Sequence, residues 1–294
     1  MKPLHPHLNW IVPAVFVLAL AAALAGLLWP GEGQPYPMTS FRGEQVTINA
    51  RGLYRWDTLS SAAQMQANDT VTLFLALPLL AVSFWLARRG SLRGQLLLTG
   101  TLGFILYTYI TMCFGAAFNP FFPVYVALFS LSLFAVVLAM FSFDLETLPS
   151  RFSDRLPRKA VAGLLFVVAA FLGMAWLGRI AAAYQGQTPL LENVTSMFIQ
   201  AMDLGIIVPV SALAGVLLLK RSAWGYLLAS VMLVKGITLG LAVALMALNM
   251  ARVGVPISLI ELVVFPLFAV ANAAMAVTLL RNILPAGSVQ AAMA

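Results

Sequence analysis

The sequence predicts an all-α polytopic membrane bundle of about eight transmembrane helices, and three observations carry that prediction. Apolar runs of around twenty residues recur along the whole chain, each able to span a hydrocarbon core about 30 Å thick. Only 9% of the residues are charged and 62% are hydrophobic, with a mean hydropathy of +0.95, whereas soluble domains carry about 25% charged residues. The basic residues also collect in alternate loops, which is the orientation signal of a membrane protein.

Taken in order, the first span is expected at 9–29, between Trp10 and Trp29 as interfacial anchors. Ala23-Leu24-Ala25 resembles a signal-peptidase site, but the apolar run continues to Trp29, so the helix is expected to be retained. The segment 30–68 is the one long polar stretch and reads as a small extracytoplasmic cap within a single membrane domain, 1–294. In it Gln45-Val46-Thr47-Ile48-Asn49 alternates like a strand, and Asp57 is placed to N-cap a helical piece through Ala67. Further spans are expected at 69–87, 94–114, 121–143, 160–177, 195–219, 224–250 and 256–280. No internal repeat is evident, inverted or parallel.

Sorting charges sets the orientation. Lys2, Arg88, Arg89, Arg93, Arg151, Arg155, Arg158, Lys159, Lys220, Arg221 and Arg281 fall on one side; Arg42, Arg51, Arg55, Arg179 and Arg252 fall on the other. The richer side is expected to be cytoplasmic, with both termini there. The net charge of +7 is thereby explained by loop topology, and nucleic acid is not expected as a partner. The expected partners are the bilayer and a small-molecule ligand from the extracytoplasmic side; the sequence leaves a protein partner or homo-oligomer open.

Several chemistries are disfavoured. His5 and His7 are the only histidines and precede the first span, so intramembrane haem ligation is not expected. The single cysteine, Cys113, excludes an internal disulfide. There is no H-E-x-x-H and no G-x-S-x-G. A retinal Schiff base is disfavoured because Lys235 sits on the seventh of eight spans. No cofactor, no metal and no catalytic residue is assigned, although an enzyme acting on a lipid-linked substrate stays as an alternative.

The informative residues are charges inside the spans, since each costs about 2.5–3.5 kcal/mol at the bilayer centre on insertion scales. Asp203 should lie about two turns into the sixth span, roughly 12 Å deep at 1.5 Å per residue. Lys235 should lie near the midplane, with a stem that reaches some 6 Å outward. Glu261 should stand one turn into the eighth span. Gln200, Tyr107, Tyr109, Asn119 and Arg179 favour the same outer half, and Asn272 lies deeper below Glu261. Pro209 and Pro266 follow Asp203 and Glu261 closely and free backbone carbonyls beside them. Together these residues predict an outward-facing polar site for a small polar or amphipathic ligand, with proton- or ion-coupled transport or sensing as its use. The competing expectation is that Asp203 and Lys235 form a static ion pair that only locks the bundle. Gly236 and Gly240 form a G-x-x-x-G, which predicts close helix packing.

Gly52-Leu53-Tyr54-Arg55-Trp56-Asp57, the run from Leu86 to Gly94, the run from Phe114 to Pro120, Met202-Asp203-Leu204-Gly205 and Val234-Lys235-Gly236 resemble stretches of a family of bacterial multi-span membrane proteins with no assigned activity. That resemblance implies a bacterial cytoplasmic membrane and transfers no function.

Overall fold

In a computed structural model, which describes residues 2–186 and 191–285 with the side chains of Ile260 and Glu261 excepted, the chain is a bundle of long apolar helices. Among the described residues, eight helices are long and apolar enough to cross a membrane. The spans are α1 (Leu8–Leu28), α2 (Leu59–Val71) continued by α3 (Leu77–Arg88), α4 (Leu92–Gly115), α5 (Phe122–Phe141), α6 (Arg158–Tyr184), α7 (Phe198–Met202) continued by α8 (Val208–Leu219), α9 (Ala223–Arg252) and α10 (Leu259–Arg281). Large apolar side chains such as Val17, Phe74, Phe134, Leu213 and Leu267 point outward, as a lipid-facing surface requires. Trp10 and Trp85 are exposed at one end and Trp56 at the other.

The second span departs most from expectation. The polar helical piece and the span are one continuous rod, α2 to α3, so Asp69 is not its entrance but a side chain 2% exposed within it. Thr58, not Asp57, caps α2 by accepting from the Ser61 N–H at 3.1 Å. Asp57 instead accepts from the Ala117 N–H at 2.8 Å, which ties the start of α2 to the loop before α5. The preceding segment forms an antiparallel hairpin, β1 (Tyr36–Thr39) with β2 (Gln45–Ile48). It lies over one end of the bundle: Arg42 donates to the Thr195 carbonyl, and the Glu44 carboxyl accepts from the Leu191 and Glu192 N–H groups. At the opposite end the last turn of α10 and the chain after it are pinned by Arg93, which donates to the Leu280 and Ile283 carbonyls, and by a bridge between Phe152 and Ile283.

Although no repeat is evident in the sequence, the structure contains one. Two spans are broken by a single π-helical turn, Thr72–Ala76 in the first half and Asp203–Ile207 in the second. The boundaries at 72, 77 and 92 recur at 203, 208 and 223, a constant offset of 131 residues. Pro78 and Pro209 are equivalent under that offset and explain the turns. Each lacks the N–H of an ordinary helical residue, and the residue before it bonds one position further back, Leu77 to the Thr72 carbonyl and Val208 to that of Asp203. Buried positions match as well: Leu80, Ser83 and Ala87 correspond to Ser211, Ala214 and Leu218. So do the tight turns that follow, where an added Cβ would lie 2.5 Å from the Ala87 nitrogen at Gly94 and 2.3 Å from the Leu218 nitrogen at Gly225.

Packing follows the same plan. α1, α2–α3, α4 and α5 close one four-span unit, and α6, α7–α8, α9 and α10 close another. Four spans return the chain to its starting side, so the two units run in the same direction. They meet through α4 and α9, the most deeply buried spans, with α2 also against α9. The expected glycine packing is present: Gly236 and Gly240 face Asn272 and Ala269 of α10, leaving no room for a Cβ.

Candidate functional site

Asp203 opens the π-turn of the second half and is 4% exposed. Its carboxyl is held from two sides: the Tyr107 hydroxyl of α4 donates to Oδ1 at 2.8 Å, and the Trp176 indole N–H of α6 donates to Oδ2 at 2.9 Å. Lys235 of α9, 5% exposed, does not bond to this carboxyl; no ion pair joins the two residues among the described ones. Its Nζ sits 3.9 Å from the centroid of the Tyr107 ring. Tyr107 thus stands between the two charges, with its ring face to the cation and its hydroxyl to the anion. An ammonium over an aromatic face is attracted by the ring quadrupole, yet Nζ meets no hydrogen-bond acceptor among the described residues.

A cavity of about 40 Å³ adjoins this group, between α6, α8, α9 and α10, lined in part by Lys235, Asn272, Ser211 and Ile207. The Ser211 hydroxyl is fully buried and likewise unpartnered. Asn272 is 3% exposed, donates to the Phe268 carbonyl at 2.8 Å and abuts Gly236. A space of this size holds one water or a small ion.

The expected residues therefore divide. Asp203, Lys235, Tyr107 and Asn272 come together. Gln200 is buried one turn before Asp203, and Arg179 follows Trp176 by three residues on α6. The Glu261 side chain lies outside the described residues. Tyr109 and Asn119 belong elsewhere: Tyr109, two residues from Tyr107 on α4, faces another side of that helix, and Asn119 lies in the loop before α5. Tyr109 stacks on Tyr125 at 6.1 Å and donates to the Ala19 carbonyl at 3.4 Å, while the Asn119 side chain accepts from the Phe121 N–H at 2.9 Å.

Those two mark a second polar cluster in the first half, centred on Asp69. Its carboxyl accepts from the Tyr54 hydroxyl at 2.6 Å. Gly26 of α1 makes the space, since a Cβ there would fall 1.8 Å from Asp69 Oδ2. Asp69 precedes the π-turn by three residues, one helical turn from Thr72, the repeat equivalent of Asp203. Each half thus buries one carboxyl at or beside its π-turn, bonded by a tyrosine hydroxyl. Asp57, above the spans, is pushed up to about 7 by burial, only partly offset by the Ala117 and Ser61 hydrogen bonds. Trp176, Asp69 and Tyr54 are absent from the residues expected from sequence.

The chain matches no protein-family model, and comparison with curated proteins and with solved structures yields no match.

Proposed function

We propose that this protein is a multi-pass protein of a bacterial cytoplasmic membrane in which Asp203 is the proton-binding group of a transport or sensing site for a small polar ligand. The carrying observation is the alignment of Asp203, Tyr107 and Lys235 at a π-turn, where a buried carboxyl and a buried ammonium share one aromatic ring instead of pairing. Intramembrane ionisable residues are expensive and mark ion and substrate paths, and π-turns recur at functional sites. The cavity beside Lys235 fits a water or small ion, so a larger solute needs the helices to part. The π-turn followed by Pro209 supplies a point at which α7 and α8 bend. The concentration of arginine and lysine at one end supports a cytoplasmic placement for that face and an extracytoplasmic one for the hairpin.

A structural lock is the second reading, favoured by one observation: both oxygens of Asp203 already have donors. Infrared difference spectroscopy after a pH jump, in reconstituted membranes, separates the two. The site reading expects a carboxylic-acid band that disappears in Asp203→Asn while the fold survives. Native mass spectrometry of the same sample then identifies any small molecule that wild type retains and the variant loses. A lock expects no such band and no ligand, with Asp203→Asn/Lys235→Met folding as wild type because neither charge is left orphaned.

A further inference from the structure

A second cavity lies away from Asp203, at the basic end of the bundle. It is an open basin of about 490 Å³ between the loop before α6 and the turn before α9, lined by Phe152, Ser153, Asp154, Arg155, Arg158, Arg221 and Tyr226 among others. Its wall is a stacked pair, Phe152 on Tyr226, with centroids 4.5 Å apart and planes at 17°. Arg158 is fixed against that wall: Nε donates to the Tyr226 hydroxyl at 2.8 Å, and its terminal nitrogens reach the Asp154 and Ser153 carbonyls. Asp154 is the basin's one acid. It is ion-paired to Arg158 at 3.5 Å and to Arg221 at 3.1 Å, but 86% of its side chain is exposed. Three arginines therefore line the basin with one loosely held carboxylate, a formal excess of two positive charges.

The repeat shows why Arg221 is informative. Its equivalent is Gly90, and both adopt a left-handed backbone, φ +76° at Gly90 and +56° at Arg221. Glycine takes that conformation freely and arginine does not. A side chain kept where the backbone disfavours it is a strained position of the kind that gathers at binding sites. The turns differ in a second respect. Ser91 caps α4 by accepting from the Gly94 N–H, whereas the equivalent Ser222 makes no side-chain cap on α9. The N-terminus of α6, after Pro157, is also uncapped by a side chain. Two helix N-termini, each without a side-chain cap and with a positive partial charge, thus open at this end beside the arginines.

We propose that this basin is a binding site for a phosphate ester, in which Arg155, Arg158 and Arg221 hold the phosphate oxygens and the anion displaces Asp154 from Arg221. Arginine suits the role because its planar fork pairs two oxygens of one phosphate. A membrane offers one source, the headgroup of an anionic phospholipid. A soluble phosphate offers the other.

Thermal unfolding of the detergent-purified protein tests the site with three probes: phosphatidylglycerol, zwitterionic phosphatidylcholine and inorganic phosphate. Arg221→Gly restores the residue that the backbone prefers and Arg155→Gln alters an exposed side chain, so Arg155→Gln/Arg221→Gly should unfold no earlier than wild type without ligand. Phosphatidylglycerol should raise the unfolding temperature of wild type, phosphatidylcholine should not, and the double variant should bind about tenfold more weakly or worse. Protection by inorganic phosphate without phosphatidylglycerol supports the site with a soluble ligand. Arg155→Gln alone repeats the comparison should the double variant unfold early. Absence of protection by either anion, or protection equal in wild type and variants, overturns the proposal.

Discussion

The Lys235 ammonium lies 3.9 Å from the centre of the Tyr107 ring, and the opposite end of that tyrosine donates to Asp203 at 2.8 Å. One side chain thus serves a cation with its face and an anion with its hydroxyl, and the two functions are separable by substitution. Tyr107→Phe keeps the ring over Lys235 and removes only the donor. A hydrogen bond to a charged group is worth about 1.5–3 kcal/mol, so this variant should lose stability in that range. Tyr107→Leu also removes the cation–ring contact and should lose about 0.5–2 kcal/mol more. Equal losses in thermal or denaturant unfolding would show that the cation draws nothing from the ring.

The same carboxyl has a second donor, which makes the pair a test of coupling. Trp176→Phe removes the 2.9 Å bond to Oδ2 and leaves Tyr107 in place. Each single variant leaves one donor on the buried carboxyl, whereas Tyr107→Phe/Trp176→Phe leaves none from these two residues. The double loss should exceed the sum of the singles by about 0.5–3 kcal/mol, the range for groups in one network. A double-mutant cycle on unfolding free energies measures this, and strict additivity would mean that the two oxygens are solvated independently.

Asp57 gives a pH dependence of definite sign. Burial raises its carboxyl from 3.8 to about 7, so between those values the folded chain holds a proton that the unfolded chain has released. Its stabilising contribution is fully present below pH 3.8 and is lost as pH rises through about 7. The corresponding free energy is up to about 4 kcal/mol, at 1.36 kcal/mol per pH unit. Asp57→Asn keeps an oxygen for the Ala117 N–H and carries no charge. The unfolding temperature of wild type should therefore fall between pH 5 and pH 8 relative to that of the variant. Parallel curves across this interval would show that the carboxyl is not titrating there.

What the sequence makes legible follows from what each property depends on. Span number and the basic end depend on composition along a line, and both are plain from Leu8 to Arg281. Asp203 and Lys235 stand out because a charge within an apolar run has few explanations, and Tyr107 enters on its chemistry and depth. Trp176 does not, since a tryptophan near a helix end reads equally well as an interfacial anchor. Asp69 is hidden differently. The polar run Gln64-Met65-Gln66-Ala67-Asn68-Asp69 looks solvated, and its burial depends on Gly26, distant in sequence, having no side chain. The repeat is obscured because matched positions preserve place rather than identity, as with Leu80 and Ser211 or Gly90 and Arg221.

The repeat itself is testable through its glycines. At Gly94 an added Cβ would lie 2.5 Å from the Ala87 nitrogen, and at Gly225 it would lie 2.3 Å from the Leu217 carbonyl carbon and the Leu218 nitrogen. Backbone is the obstacle at both sites, so the preceding helix must move away from the turn. Overpacking of this kind costs about 1–3 kcal/mol, occasionally more. Gly94→Ala and Gly225→Ala should therefore destabilise by similar amounts, each larger than any gain in helix propensity. Gly163, inside α6 with nothing within 4 Å of its added Cβ, is the control, because alanine there gains up to about 1 kcal/mol of helix propensity and meets no neighbour. Unfolding temperatures of the three variants decide the matter. Early unfolding of both turn variants, with Gly163→Ala at or above wild type, follows if the two halves use one turn design. A large loss at Gly94 with none at Gly225 would mean that the equivalence of the two turns is not carried into their energetics.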